Sequence, residues 1–468
     1  MSVNQKRGIS WTFLSTISGA ILQTLQLAMT VRYLSTTEVG VLATVNVLIA
    51  IANMLKDFGL SSFLIHRQDI SHREQSGLFW LTVTIGVLIA AFVGAIAYPM
   101  AWFYDMPQLD QLLYLSAANI LLIASSSQWQ ALMLKKFEFE RIAQIELVTK
   151  VLAFASTYIF LELGAGVYSP ILALLSSNVI NLILLYVYNR KRFIPSLVWD
   201  KEISRQAFSY GIYQVGGQFL NQLRANLDTL LLGKFLGADS VGIYSLAKEL
   251  ILRPARLIQP VVNRFALPNF AQVQGDESKQ GELYLKTATV LVVVNGIVYS
   301  SILLLAAPLT HLLYGEEISQ KVTFLLQILT VFGFVRCIGG PMGAIAQANG
   351  RTDLEFRWNV ISTVIFSVIL FFAANHSVMA TTCAMSLGQV LMTHLSYQLF
   401  LKPLCKVSYR QFAKLSIPML ILLSVQIAAL NFIELSLVQY LLVVILMYFA
   451  LLATERHSFK QVLTMLRS

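Results

Sequence analysis

The strongest constraint on the fold of this chain is a series of apolar segments, each about 20 residues long, separated by short polar loops. The hydrocarbon core of a bilayer is about 30 Å thick, and a helix of about 20 apolar residues crosses it. Charged residues form only 12% of the chain, roughly half the usual share for a water-soluble domain. The pattern therefore predicts an all-α integral membrane protein.

We predict fourteen membrane-spanning helices. They lie near residues 9–31, 40–60, 77–100, 111–134, 143–162, 169–188, 208–233, 241–266, 286–309, 320–347, 357–374, 378–400, 412–430 and 436–453. Prolines interrupt the eighth, and Gly339, Gly340 and Pro341 interrupt the tenth. Such breaks are tolerated in lipid where the freed backbone groups line a cavity or pack on protein.

The loop cations predict the orientation of these helices. If the N-terminus is cytoplasmic, only Arg32, Lys234 and Lys321 fall in loops on the opposite side, and the other loop lysines and arginines are cytoplasmic. Cytoplasmic loops carry an excess of Lys and Arg, so both termini are expected in the cytoplasm. The first apolar run lacks a small-residue cleavage site, and we interpret it as a retained helix rather than a signal peptide.

An internal repeat predicts two similar halves. The segment 32–41 resembles 234–243 at a constant offset, with Gly40 matching Gly242, and both copies lie in loops on the same side. Repeats of equal orientation are related by an axis along the membrane normal. The predicted organisation is a six-helix lobe at 1–188, a linker at 189–207, a second six-helix lobe at 208–400, and two extra helices with a tail at 401–468. In the linker, Leu197, Val198, Trp199 and Ile203 are candidates to lie on the membrane surface.

Several function classes are excluded by what the sequence lacks. It has no Walker A phosphate loop, no zinc-protease motif and no nucleophile elbow, so no enzyme, metal or cofactor is expected. The cations are scattered, which argues against nucleic-acid binding despite a net charge of +10. A transporter needs no catalytic motif. A secondary transporter therefore fits the chain better than an enzyme or a nucleic-acid-binding protein does.

Polar residues in the seventh and eighth helices are the main candidates for a transport site. The seventh carries a stripe at helical spacing, formed by Gln214, Gln218, Asn221, Arg224 and Asp228. The eighth carries Glu249, Arg253 and Arg256 on one face, and the tenth carries Arg336. Ionisable groups are costly in a membrane and usually mark a function.

Two interpretations of these charges remain open. Arg224 with Asp228, and Glu249 with Arg253, are either ion pairs that hold helices together or part of a hydrated cavity with surplus cations. The planar guanidinium binds phosphate oxygens through two hydrogen bonds, so a cavity with surplus arginine would take a bulky anionic substrate. An acyl tail on such a substrate would remain in lipid while the head crosses.

The N-terminal half has fewer candidates. Gln23, Gln26, Asn46 and Asn53 are its polar residues at comparable depth, and they are candidates to line the cavity. Glu146 and Lys150 stand at i,i+4 spacing, which favours a structural ion pair.

Short motifs in a particular order link the chain to a known family. They are Asp57-Phe-Gly-Leu60, Ile70-Ser-His72, Leu78-Phe-Trp80, Gln130-Ala-Leu-Met133, Phe137-Glu-Phe139, Asn226-Leu-Asp-Thr-Leu230, Leu236-Gly-Ala238 and Tyr409-Arg-Gln411. With these, the chain resembles the multidrug/oligosaccharidyl-lipid/polysaccharide (MOP) exporter superfamily, in particular Wzx-type flippases similar to colanic acid exporters.

The resemblance implies a V-shaped pair of six-helix bundles working by alternating access in the bacterial inner membrane. The implied substrate is an undecaprenyl-diphosphate-linked oligosaccharide, moved across the membrane for lipopolysaccharide or related surface polymers and passed to a polymerase complex. The diphosphate would bind Arg224, Arg253, Arg256 and Arg336. H⁺ or Na⁺ is the implied coupling ion, with Asp228, Glu249 and Glu146 as candidate carriers in that order.

Three other functions remain open. One is a flippase for a lipid-linked peptidoglycan precursor, which the sequence alone separates poorly from an oligosaccharide flippase. A cation-coupled drug or metabolite antiporter of the same superfamily would favour carboxylates over arginines in its cavity. A membrane scaffold in a glycan-synthesis complex would tolerate replacement of the cavity arginines.

Overall fold

A computed structural model of the chain describes residues 3–57, 60–67, 70–432, 438–439, 442 and 445–446. This described part is helical and contains no β-strand, as predicted. It includes 12 segments that are long and apolar enough to cross a membrane. The chain is a multi-pass membrane protein that folds into two compact units, Met1–Gly242 and Ile243–Ser468.

The first unit is built from helices that lie side by side. These are α1 (Val3–Tyr33), α2 (Thr36–Asp57), α3 (Leu60–His66), α4 (His72–Tyr104), α5 (Leu109–Lys135), α6 (Phe139–Glu162), α7 (Ser169–Asn189) and the beginning of α8 (Lys201–Gln272). Helix α4 packs along α5, and α1 packs along α6, which also contacts α7. Ser71 begins α4 with a capping box. Its hydroxyl accepts a hydrogen bond from the backbone N–H of Glu74, and the Glu74 carboxylate accepts one from the backbone N–H of Ser71.

The predicted seventh and eighth helices are the two parts of α8. They meet at Gly237, whose backbone angles are φ 78° and ψ −179°. Glycine is needed here because residues with a side chain rarely adopt a positive φ. Pro254 does not end the second part, which continues to Gln272.

The second unit continues from α8. Its further helices are α9 (Glu277–Leu304), α10 (Ala306–Tyr314), α11 (Glu316–Ile338), α12 (Gly340–Ala348), α13 (Thr352–Ala374), α14 (Val378–Ser396), α15 (Lys402–Leu404) and α16 (Tyr409–Phe432). Helix α11 contacts α9, α14 and α16. Leu326, Leu329 and Phe334 of α11 are completely buried, and α11 forms the centre of this unit.

The first thirteen predicted segments each overlap a helix, and the predicted tenth is divided at Gly339 into α11 and α12. The fourteenth, 436–453, lies mostly outside the described residues. The total of fourteen therefore stays a prediction, as do the lobe boundaries at 188, 208 and 400. The contacts divide the chain within α8, just after Gly242.

Candidate functional site

The polar stripe of the first part of α8 is open to its surroundings at one end and buried at the other. Gln218 and Asn221 are exposed, Arg224 is half-buried, and Asp228 is fully buried. The side chain of Gln214 lies outside the described residues. Arg224 donates a hydrogen bond from Nη2 to Oδ1 of Asn221 at 3.1 Å.

Asp228 has the least exposed carboxylate among the side chains that the structure describes. Its Oδ1 accepts a hydrogen bond of 2.8 Å from the backbone N–H of Thr229. A buried carboxylate needs hydrogen-bonding or charged partners that offset the loss of its hydration. A carboxylate in this setting is suited to bind a cation or a proton during a transport cycle.

In the second part of α8, the carboxylate of Glu249 contacts the side chains of two arginines. Glu249 forms a two-pronged pair with Arg256, at 2.7 Å from Oε1 to Nη1 and 3.0 Å from Oε2 to Nη2. Its Oε1 also lies 3.7 Å from Nη2 of Arg253. The side chain of Arg253 is 19% exposed and that of Arg256 is 58% exposed. The three side chains together have a net formal charge of +1, and Arg256 is the more exposed of the two arginines.

Arg336 lies at the same level on a neighbouring helix. A Cβ on Gly333 of α11 would come within 2.7 Å of Ile251, and one on Gly340 within 2.5 Å of the Gln259 amide. These two contacts show that α8 runs beside α11 and the beginning of α12, in the same direction. They place Arg336, which is exposed, level with the Arg256 region of α8. The guanidinium of Arg336 lies 5.8 Å from the ring centre of Phe332.

The predicted residues of the N-terminal half follow a different pattern. Gln23 and Asn46 are exposed, whereas Oδ1 of Asn53 is buried and accepts no hydrogen bond from a described residue. Gln26 donates from Nε2 to the hydroxyl of Thr157 on α6 at 2.8 Å. These contacts give Gln26 a role in holding α1 to α6.

Glu146 forms the ion pair that its spacing predicts. Its Oε2 lies 3.9 Å from Nζ of Lys150 and accepts a 3.3 Å hydrogen bond from Ser15 of α1. The Lys150 chain lies over Gly19, where a Cβ would be 2.6 Å from Nζ. Glu146 therefore joins α1 to α6, and among the described residues this favours the structural interpretation of the pair over an ion-carrying one.

The predicted arginines are divided between the two units. Arg224 belongs to the first unit, while Arg253, Arg256 and Arg336 belong to the second. The structure brings Arg253 and Arg256 together on Glu249, and the gathering of all four stays a prediction. No cluster of three potential metal ligands occurs within the described part of the chain.

Sequence reasoning did not identify the contact between the two repeat copies. Thr36 donates a hydrogen bond from its hydroxyl to the carboxylate of Asp239, and Gly40 lies against Ala238. The sequence did show that the two copies are similar, since residues 36 and 40 match residues 238 and 242 at the repeat offset. It did not show that the two copies touch.

Comparison with known proteins gives a consistent result. The sequence profile of a family described as "Polysaccharide biosynthesis protein" matches residues 29–323. The amylovoran biosynthesis protein AmsL of Erwinia amylovora is 38% identical over 76% of this chain and 92% of its own length. The lipopolysaccharide biosynthesis protein WzxC of Escherichia coli K12 is 28% identical over 88% of this chain and 84% of its own.

Two solved structures share the fold. The lipid II flippase MurJ in an inward closed conformation superimposes with a TM-score of 0.76 at 12% identity, covering 95% of this chain and 99% of that one. An inward-facing multidrug resistance MATE family transporter of the MOP superfamily gives 0.63 at 14% identity, covering 85% and 95%. At these identities the likeness shows that the chain shares its fold with both transporters.

Proposed function

Because this chain belongs to the polysaccharide biosynthesis protein family, we propose that it is a flippase for a lipid-linked oligosaccharide. It moves an undecaprenyl-diphosphate-linked repeat unit across the inner membrane by alternating access, and it supplies the synthesis of a surface polysaccharide. Relatives named for the synthesis of amylovoran and lipopolysaccharide support this, as does the fold shared with a lipid II flippase.

The observation that carries the proposal is the concentration of arginine in the second unit. Glu249 contacts two guanidinium groups, and Arg336 places a third at the same level. A diphosphate offers several oxygens in the geometry that guanidinium groups bind best. We expect Arg253, Arg256 and Arg336, with Arg224, to bind the diphosphate while the lipid tail stays in the bilayer.

Ion coupling forms the second part of the proposal. Asp228 is the first candidate because it is fully buried, followed by Glu249 and then Glu146. Glu249 is already engaged by two arginines, and Glu146 by Lys150 and Ser15. The coupling ion is H⁺ or Na⁺.

The placement in the cell follows from the same proposal. Both termini lie in the cytoplasm, as the distribution of loop cations predicts. A polysaccharide polymerase complex is the expected partner on the far side, since the translocated repeat unit is its substrate. Transport and not catalysis is the proposed activity.

The nearest alternative is an ion-coupled antiporter for drugs or metabolites. Its support is the fold shared with a multidrug transporter. The surplus of arginines argues against a cationic drug as the substrate, because like charges repel in a medium of low dielectric. A scaffold without transport activity is a third possibility, and it predicts that the arginines are dispensable.

The test is mass spectrometry of lipid-linked oligosaccharides in a deletion strain, with surface polysaccharide measured in the same cells. We expect a complete repeat unit to accumulate on its lipid carrier while surface polymer is lost. Complementation with the wild-type chain should reverse both, and complementation with Arg336→Ala should not. Unchanged lipid-linked pools with normal surface polymer, in a strain without a second flippase, would contradict the proposal.

A further inference from the structure

The segment between α7 and α8 is held firmly against the ends of other helices in the first unit. Trp80 of α4 donates its indole N–H to the carbonyl of Ser196 at 2.9 Å. Trp129 of α5 donates in the same way to the carbonyl of Phe193 at 3.3 Å. Ser76 accepts two further hydrogen bonds, from the N–H and the hydroxyl of Ser196, at 3.1 and 3.0 Å.

Apolar packing adds to these hydrogen bonds. Phe193 is almost fully buried with Phe79 and Trp129. Ile203 is buried in a cluster with Leu78 and other residues of α3, α4 and α5. The prediction that Ile203 lies on the membrane surface was therefore wrong, because α8 begins by turning this side chain inward. Residues 190–205 thus form a fixed structure, which we call the collar.

The collar leaves its other large apolar side chains uncovered. Leu197 is 88% exposed, Ile194 54% and Trp199 47%. A loop facing water seldom holds three such side chains in a fixed conformation, because each exposes apolar surface that costs about 25 cal/mol per Å². Their exposure points to an apolar medium that meets the collar.

The same segment is also basic, with five cations against the two carboxylates Asp200 and Glu202. Arg190, Lys191, Lys201 and Arg205 are exposed, and none of them forms a salt bridge to a residue that the structure describes. The fifth cation, Arg192, is paired with Glu138 at 2.6 Å. Four available cations beside three apolar side chains match the composition of segments that lie on anionic membranes.

The position of the collar along the helices agrees with such a role. Helix α4 has 33 residues, so it is about 50 Å long and exceeds the hydrocarbon core of about 30 Å. Trp80, which holds the collar, stands about 12 Å from the beginning of α4 at 1.5 Å per residue. A helix of this length that is centred on the hydrocarbon core extends about 10 Å beyond it at each end, so we expect the collar at the level of the lipid headgroups.

We propose that the collar is a binding surface for anionic phospholipid. Leu197 and Trp199 enter the boundary between headgroups and acyl chains, while Arg190, Lys191, Lys201 and Arg205 bind the phosphates of neighbouring lipids. The surface anchors the end of the first unit in one leaflet. It is independent of the substrate, so it stands whether or not the chain moves a lipid-linked oligosaccharide.

The first experiment measures the depth of the collar in a bilayer. The full chain, with its native cysteines replaced by alanine, carries one fluorophore at Leu197→Cys and is reconstituted in nanodiscs of phosphatidylglycerol and phosphatidylcholine. Leu88→Cys in the middle of α4 is the reference for the core, and Gln108→Cys in a turn is the reference for an exposed loop. We expect lipids with a quencher near the headgroup to quench Leu197→Cys strongly and aqueous iodide to quench it weakly.

The second experiment measures lipid preference. The variant with Arg190, Lys191, Lys201 and Arg205 all changed to Gln is compared with the matched single variant Lys136→Gln, which lies outside the collar. Each cation near an anionic surface contributes about 1 kcal/mol, a factor of about five. Native mass spectrometry should show the preference for phosphatidylglycerol over phosphatidylcholine falling at least about tenfold in the first variant and little in the second.

Two results would overturn the proposal. One is strong iodide quenching at Leu197→Cys, equal to that at Gln108→Cys, which would mean that the collar faces water or awaits a protein partner. The other is an unchanged lipid preference in the fourfold variant. Either result leaves the proposed transport function untouched, since that function is scored by the lipid-linked oligosaccharide pools.

Discussion

Gly40 and Gly242 occupy equivalent positions of the internal repeat, and each lies against the other copy so closely that no side chain fits. A Cβ on Gly40 would be 1.7 Å from the carbonyl oxygen of Ala238, and one on Gly242 would be 1.9 Å from that of Thr36. Since 36 and 238 are also equivalent, the two copies meet through a nearly symmetrical contact in the first unit.

We therefore expect Gly40→Ala and Gly242→Ala to impair the protein. Alanine is favoured over glycine in a helix by about 1 kcal/mol, but here the backbone carbonyl would have to move, and overpacking typically costs about 1–3 kcal/mol. Thermal stability of the purified protein and surface polysaccharide in complemented cells should both fall.

Gly94→Ala is the matched control for this contact. It lies in α4, where the nearest atom to a Cβ would be 3.9 Å away on Tyr114. We expect it to preserve both stability and function. Wild-type behaviour of Gly40→Ala would show that the contact is looser than the structure describes.

These glycines also show how far the sequence alone predicts the fold. The apolar segments predicted nearly every helix, because length and composition are what a bilayer selects. The repeat was visible at the offset that pairs Gly40 with Gly242, yet similarity of two segments does not say that they touch. The inward turn of Ile203 was missed because the linker has no periodic pattern that would indicate a buried face.

The sequence predicted only part of the candidate site, and the reason is related. Helical spacing placed Glu249, Arg253 and Arg256 on one face, and the structure shows them in contact. The level of Arg336 beside α8 depends on how α11 and the beginning of α12 pack against α8, through Gly333 and Gly340. Packing between distant segments leaves no periodic signal in a single sequence.

The arginines should differ in their tolerance to lysine and alanine. A hydrogen bond to a charged group contributes about 1.5–3 kcal/mol, so Arg336→Ala is expected to slow flipping by about ten- to a hundredfold. Arg336→Lys keeps the charge and loses the two-pronged contact, so its loss should be smaller but measurable. Surface polymer and lipid-linked oligosaccharide pools in complemented cells measure both.

Arg410→Ala serves as the control for these variants, since Arg410 is exposed in the first turn of α16. It should leave flipping intact. Full activity of Arg336→Ala would contradict the assignment of this residue to the diphosphate and would favour the scaffold interpretation.

The charge of Glu249 is expected to control the rate at which the bound substrate is released. It contacts Arg256 at 2.7 and 3.0 Å and competes with any phosphate for the same guanidinium. Glu249→Gln removes the competing charge, so more lipid-linked oligosaccharide should copurify with the protein while turnover falls. Glu317→Gln, which alters an exposed pair with Lys321, should change neither. An unchanged amount of copurified substrate would show that Glu249 does not compete for it.

Asp228 should be required for coupling and not for folding. Its Oδ1 accepts the N–H of Thr229 at 2.8 Å, and the amide oxygen of Asp228→Asn can accept the same bond in the same space. The variant therefore keeps this bond and loses the negative charge that would bind H⁺ or Na⁺, and its thermal stability is measured beside its transport. In proteoliposomes, an imposed gradient should accelerate flipping by the wild-type chain and not by Asp228→Asn.

Asp353→Asn, which alters an exposed pair with Arg351, should keep the full response. If Asp228→Asn responds to the gradient as the wild type does, the coupling carboxylate lies elsewhere, and Glu249 becomes the next residue to test.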